Sequence, residues 1–192
     1  MNIIYLHGFG SIANQNHPKV KELERLGTVK SIAPDYSKSF NEIILHVYSH
    51  CEIEQVNLIV GTSMGGWLAS IISALDNIPF VAINPSLTPH TTLMKYAGQT
   101  ILTHGGHFAT FFEDNIRMLP VFFGSNQGLI LLDEGDEMFN SKETANFARN
   151  YPDMIIEMFE GGSHQFDHMK ESIGIIENFY QYIKPNHGLT ND

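Results

Sequence analysis

A serine flanked by glycines stands near the middle of this chain, in Gly61-Thr62-Ser63-Met64-Gly65. An apolar run typical of a buried strand, 58–60, precedes it, and an apolar helical spacing follows in 68–75. Where a strand turns sharply into a helix, the turn residue takes strained backbone angles, and bulky residues two positions to either side would collide. Such a nucleophile elbow lifts the serine hydroxyl above the sheet edge, beside helix N–H groups that stabilise negative charge. Ser63 is therefore a candidate nucleophile.

The same segment has a second interpretation, because glycine-rich turns between a strand and a helix also bind nucleotide phosphates. Residues 61–66, GTSMGG, lack the Gly-Lys-Ser/Thr ending of a P-loop and the G-x-G-x-x-G spacing of a dinucleotide-binding turn. The sequence therefore favours a nucleophile over a phosphate cradle.

A serine hydroxyl needs a base that removes its proton and a carboxylate that orients the base. In this type of fold both are expected just beyond strand ends, in the order serine, acid, histidine. The run 154–159 is followed by EGGSHQF, whose glycines permit a tight loop, so His164 is the candidate base. The run 129–132 is followed by DEGDE, and Asp136, just past the glycine, is the favoured acid. Glu137 is its local rival, and a solvated acidic loop is the non-catalytic alternative.

Attack on a carbonyl creates a negatively charged oxygen, which backbone N–H groups must stabilise. Met64, immediately after the candidate nucleophile, is predicted to supply one N–H donor. The loop His7-Gly8-Phe9-Gly10 follows the first apolar run, and its glycines let the backbone approach a ligand closely. Phe9 is therefore the predicted second donor, and a simple tight turn is the alternative for this loop.

The elements that must position these residues follow from six short apolar runs, which alternate with stretches of helical spacing. This alternation is typical of a βαβ architecture with a mostly parallel, buried sheet and helices on both faces. The predicted strands are 3–6, 29–33, 58–60, 80–83, 129–132 and 154–159. Helix starts are predicted at Pro18, at a Ser39–Glu42 capping box and at Asn140.

One α/β domain is predicted over residues 1–184, followed by a flexible tail at 185–192. The segment 85–128 interrupts the alternation, is rich in phenylalanine and is long for a connection between a strand and a helix. It is predicted to be either a lid or binding element, or an ordinary crossover helix with an aromatic core face.

The composition restricts the partners of the protein. Eleven Lys and Arg residues stand against 21 Asp and Glu, a formal charge of -10, which disfavours binding to nucleic acid or to acidic membrane surfaces. There is one cysteine, no signal peptide pattern and no run of eighteen apolar residues, so a soluble cytoplasmic protein is expected. His46 and His50 share a predicted helix face but lack a third ligand, and no metal or organic cofactor is expected.

The set of segments LHGFGS, GTSMGGWLA, INPSL, LLDEGDE and EGGSHQF resembles the YqiA-like family of small bacterial α/β-hydrolase esterases, over residues 3–182. The resemblance implies a reduced α/β-hydrolase fold that begins at the oxyanion strand, with strand order 2-1-3-4-5-6. It also implies the nucleophile Ser63, acid Asp136 and base His164, with oxyanion donors Phe9 and Met64. Asn84-Pro85 matches a family feature and is interpreted as shaping the rim of the site, whereas residues 98–126 match poorly.

The resulting prediction is a serine hydrolase, an esterase or thioesterase, that cleaves carboxylic esters or thioesters of small acyl substrates through an acyl-enzyme on Ser63. The alternative is a non-catalytic protein that keeps the fold and uses the pocket to bind a ligand or partner. The natural substrate and the oligomeric state stay open.

Overall fold

The computed structural model describes residues 1–125, 127–151 and 154–183. The strands are β1 (Asn2–Leu6), β2 (Thr28–Ile32), β3 (Leu58–Thr62), β4 (Phe80–Ile83), β5 (Thr100–Leu102), β6 (Phe108–Thr110), β7 (Gly128–Asp133) and β8 (Ile155–Phe159). Six of them form one parallel sheet in the order β2-β1-β3-β4-β7-β8. The predicted parallel sheet is confirmed, and its predicted order matches once the separate β5–β6 hairpin is included in the numbering.

The helices are α1 (Pro18–Leu23), α2 (Phe40–His50), α3 (Met64–Asp76), α4 (Pro89–Met94), α5 (Glu113–Arg117), α6 (Ser141–Ala148) and α7 (Met169–Ile183). Two helix starts carry the predicted caps. Ser39 and Glu42 form a reciprocal capping box at α2, and the Asn140 side chain accepts two N–H groups at the start of α6. These caps satisfy backbone donors that a helix start leaves without partners, so the local sequence fixes where both helices begin.

Hydrophobic side chains cover both faces of the sheet. The central strands β3, β4 and β7 are buried at every position, as expected for parallel strands between two layers of helices. One layer packs α2 and α3 on the sheet around Trp67, and the other packs α1 and α7 around Leu23 and Ile176. The two layers hold the carboxyl ends of β1, β3, β4, β7 and β8 together at one sheet edge.

The segment between β4 and β7 contains α4, the β5–β6 hairpin and α5 rather than one crossover helix. Phe111 and Phe122 are buried in the core, and the Trp67 indole donates a hydrogen bond to the Pro120 carbonyl at 2.9 Å. Phe108, in contrast, is 75% exposed. The segment is thus anchored on the α3 layer by part of its aromatic residues, and its role as a lid stays a prediction.

No helix in the described ranges is long and apolar enough to cross a membrane. The tail predicted at 185–192 lies outside the described residues.

Candidate active site

Ser63 occupies the turn between β3 and α3 with φ 57° and ψ -119°, a conformation that L-residues rarely adopt. Its N–H donates to the Ile83 carbonyl of the neighbouring strand at 2.9 Å. A Cβ at Gly61 would lie 2.1 Å from the Gly65 carbonyl oxygen, and one at Gly65 would lie 2.0 Å from that of Leu6. Backbone packing therefore requires glycine at both flanking positions, as the Gly-x-Ser-x-Gly spacing predicted.

The structure brings the three predicted side chains together. His164 Nε2 lies 3.1 Å from Ser63 Oγ, and His164 Nδ1 lies 3.0 Å from both carboxylate oxygens of Asp136. The side chains of His164 and Asp136 are only 8% and 2% exposed. These distances are within hydrogen-bond reach, so one ring can take the hydroxyl proton while the carboxylate holds its other nitrogen.

The loop after β8 makes the tight turn that carries the histidine. Gly161, Gly162 and Phe166 have φ values of 73°, 71° and 60°, so the chain reverses sharply around His164. The imidazole also packs edge-to-face against Phe139, with ring centroids 5.1 Å apart. The ring is thus oriented by the backbone of its own loop and by an aromatic contact.

The carboxylates of the DEGDE segment have separate partners. Asp136 Oδ1 accepts the backbone N–H groups of Met138 and Phe139 at 2.8 and 2.9 Å, which fixes the carboxylate beside the imidazole. Glu137 instead accepts the backbone N–H of His164 at 2.9 Å, and this hydrogen bond lowers the pKa of Glu137. The geometry therefore favours Asp136 as the partner of the ring and gives its rival a contact with the main chain.

Two residues beneath the histidine loop were not predicted to hold it. Asp133, fully buried at the end of β7, accepts the N–H groups of Ser163 and Asp167 at 3.1 and 2.8 Å and pairs with His168 Nδ1 at 2.7 Å. Asn84 donates to the Ser163 carbonyl at 2.9 Å and accepts the Asp133 N–H at 3.0 Å. Asn84 is thus more than part of the rim, and the signal available in the sequence was its position just past a predicted strand.

The loop after β1 passes directly over the candidate nucleophile. A Cβ at Gly8 would lie 3.2 Å from Ser63 Cβ, so a larger residue would crowd the serine. Neither the Phe9 nor the Met64 N–H donates a hydrogen bond to another residue in the described part of the chain. Both predicted oxyanion donors therefore belong to segments that adjoin Ser63, and both have an unused N–H.

A cavity of about 440 Å³ opens above Ser63 and His164. Its remaining lining is Tyr5, His7, Gly8, Phe9, Ser11, His17, Lys19, Thr62, Tyr96, His104, Met138 and Gln165. The volume is within the range of small-molecule sites. Tyr96 and His104 come from the segment between β4 and β7, so this segment contributes to the wall.

His46 and His50, the pair considered as metal ligands, lie side by side on α2 with ring centroids 4.2 Å apart and ring planes tilted by 30°. Within the described ranges, no group of three or more His, Cys, Asp or Glu residues is placed to hold a metal ion.

Similarity to known proteins covers almost the whole chain. Residues 2–181 match the model of the uncharacterised protein family UPF0227. The chain belongs to the UPF0227 family. A UPF0227 protein of Vibrio cholerae is 28% identical over 186 residues, which cover 88% of this chain and 97% of the relative. The resemblance to the YqiA-like family is confirmed by this membership.

Solved structures similar to this UPF0227 chain share its fold at low sequence identity. Est1E from Butyrivibrio proteoclasticus has a TM-score of 0.68 at 14% identity, covering 94% of this chain and 87% of its own. Mouse alpha/beta hydrolase domain-containing protein 10 has a TM-score of 0.64 at 16% identity, with coverages of 95% and 90%. A Paleococcus ferrophilus monoacylglycerol lipase has a TM-score of 0.63 at 16% identity, covering 94% of each chain. The predicted α/β-hydrolase fold is confirmed.

Proposed function

We propose that this UPF0227 protein is a serine hydrolase that cleaves carboxylic esters or thioesters of small acyl substrates through an acyl-enzyme on Ser63. The observation that carries the proposal is the hydrogen-bonded line from Asp136 through His164 to Ser63, with spacings of 3.0 and 3.1 Å. A strained serine, a buried histidine and a buried carboxylate in this order are the groups that nucleophilic acyl transfer requires.

In the proposed first half-reaction, Ser63 Oγ attacks the substrate carbonyl carbon while His164 Nε2 takes the hydroxyl proton. The negative oxygen of the tetrahedral intermediate accepts the N–H groups of Phe9 and Met64. The carbon–oxygen or carbon–sulfur bond then breaks, and the leaving alcohol or thiol receives the proton from His164.

In the second half-reaction, water repeats these steps on the acyl-enzyme and releases the carboxylic acid. Asp136 holds the proton on His164 Nδ1 throughout and stabilises the imidazolium. The sequence of steps uses only side chains, backbone N–H groups and water.

A fluorophosphonate probe separates this function from the alternative of a non-catalytic binding protein. The activated serine should form a covalent adduct that mass spectrometry locates at Ser63. The Ser63→Ala variant should not react, whereas Ser49→Ala, which alters an exposed serine of α2, should react like the unchanged protein. Folded protein that acquires no adduct at Ser63 would support the binding protein instead.

Kinetics provide the second test. p-Nitrophenyl esters of increasing chain length, assayed beside acyl-CoA thioesters, define the acyl preference and the choice between ester and thioester. Ser63→Ala and His164→Ala should each lower kcat by at least about a thousandfold, because the groups act as a unit. Urea unfolding should show little change in stability, and near-full activity of either folded variant would refute the assignment.

A further inference from the structure

One arm of the cavity, between the end of β1 and the start of α1, is lined by basic side chains that the proposed chemistry does not use. We call it the basic arm and define it by His7, His17 and Lys19. None of the described residues lining the cavity is an aspartate or glutamate, although the whole chain has a formal charge of -10. The local charge of this arm is therefore opposite to that of the protein.

Lys19 is 7% exposed, and its ammonium donates a hydrogen bond to the carbonyl of Gln165. In the described part of the chain, no carboxylate forms a salt bridge with it. Burial lowers the pKa of Lys19, and the attraction of Asp167 and Asp133 does not offset this effect. An ammonium has three N–H donors and is costly to bury without a counter-charge, so this group favours a bound anion.

His17 adds a donor beside this ammonium, whereas His7 Nε2 is hydrogen-bonded to Ser31 Oγ at 2.7 Å. His17 Nδ1 accepts the backbone N–H of Lys19 at 3.3 Å, which places the ring proton of the neutral imidazole on Nε2. Within the described ranges, that Nε2 has no hydrogen-bond partner. His7 lies edge-to-face with His17 at 5.1 Å between centroids, and burial lowers the pKa of both rings. The arm thus places the Lys19 ammonium beside the Nε2–H of His17, and none of its three residues is a carboxylate.

We propose that the basic arm binds an anionic group of the substrate, a carboxylate or a phosphate, and so selects esters that carry a negative charge near the bond that is cleaved. The inference rests on the proposed hydrolase function, because it names the substrate class of that site. An anion would accept the N–H groups of Lys19 and His17, and such charge-assisted hydrogen bonds are strong where water is largely excluded.

A purely structural role for Lys19 makes a different prediction. In that role the ammonium, bound to the Gln165 carbonyl next to His164, only helps to position the base, and its loss acts by shifting His164. In that case every ester would be hydrolysed more slowly by the same factor. An anion site instead makes the loss larger for anionic esters than for neutral ones.

The kinetic test uses p-nitrophenyl hexanoate and the mono-p-nitrophenyl ester of adipic acid at constant ionic strength. Lys19→Met keeps the unbranched side chain, one atom shorter, and removes its charge. We expect it to lower the ratio of kcat/KM, anionic over neutral, by about tenfold or more. Lys21→Met, which alters an exposed lysine of the same helix, should leave the ratio unchanged. His17→Asn, which keeps a capping side chain, is the second variant and should also lower the ratio. An unchanged ratio in Lys19→Met, whether both esters are hydrolysed more slowly by the same factor or neither is affected, would overturn the inference.

A binding measurement separates failure of this inference from failure of the proposed function. Titration calorimetry of the Ser63→Ala protein with glutarate and with inorganic phosphate tells which anion fits the arm. Adding Lys19→Met should weaken binding of the preferred anion by about tenfold or more. If binding depends on Lys19 while the unmutated protein hydrolyses neither ester, the proposed function is refuted and the anion site stands. Hydrolysis without such binding and without charge preference would refute the anion site alone.

Discussion

Replacing Asp133 by asparagine tests how the loop that carries His164 is held in place. The Asp133 carboxylate is fully buried and accepts the backbone N–H groups of Ser163 and Asp167, while its other oxygen pairs with His168. Asparagine has nearly the same shape but one oxygen and no charge. If that oxygen keeps the two backbone donors, the amide nitrogen faces the ring of His168, which must then change its tautomer to accept.

The expected loss of stability follows from these contacts. A hydrogen bond to a charged group contributes about 1.5–3 kcal/mol, against about 1 kcal/mol for a neutral one, so three weakened bonds should lower the free energy of unfolding by about 1.5–6 kcal/mol. Because the loop also sets the distance between His164 and Ser63, we expect kcat to fall by about ten- to a hundredfold.

Urea unfolding and ester hydrolysis should be measured on the same preparation, at a temperature where the variant is folded. Glu134→Gln is the matched control, because it neutralises an adjacent but exposed carboxylate and should change stability by no more than about 0.5 kcal/mol. Asp133→Asn protein with unchanged stability, or a destabilised protein with unchanged kcat, would refute the reasoning.

Three further predictions concern the same site. Asp136→Asn should lower kcat by about 10³–10⁴. Glu137→Gln, whose side chain accepts the backbone N–H of His164, should lower kcat by about tenfold or less. The reverse ranking in the ester assay would contradict the choice of acid. Gly65→Ala should destabilise the fold by several kcal/mol, because its Cβ would lie 2.0 Å from a β1 carbonyl oxygen, and an unchanged urea midpoint would disprove this packing. Burial lowers the pKa of His7 from 6.5 to about 4, so between these values the unfolded chain binds a proton that the folded one does not. The free energy of unfolding should therefore fall by about 1–3 kcal/mol as pH decreases through this window. The His7→Gln variant should show a shallower decrease, and equal slopes for the two proteins would contradict burial of His7 as the cause.

The centre of the sheet was predictable because β3, β4 and β7 are buried on both faces and appear as mostly apolar runs. β4 is an example, since 80–83 is apolar at every position and the structure gives Phe80–Ile83. The turn at Ser63 was equally predictable, because any side chain at Gly61 or Gly65 would clash with backbone atoms. In both cases the constrained residues stand next to one another in the chain, so a short sequence pattern reveals them even where the contact, as between Gly65 and Leu6, is distant in sequence.

The support beneath the histidine loop was not predictable in the same way. Asp133 ends a buried strand, and a polar residue at a strand end looks the same whether it faces water or holds a loop thirty residues later in the chain. The burial of Lys19 was hidden for a similar reason, because its partner, the Gln165 carbonyl, lies far along the sequence. The β5–β6 hairpin has strands of three residues each, too short for an apolar periodicity to mark them.

The division of the cavity wall has a consequence for how this protein could be altered. Ser63, Asp136 and His164 follow strands of the central sheet, whereas Tyr96 and His104 belong to the insertion between β4 and β7. Grafting a different insertion should therefore change which acyl groups are accepted while the reacting atoms keep their spacing. Such exchanges should retain the aromatic anchors that hold the insertion on α3, so a new selectivity would not require rebuilding the proposed catalytic residues.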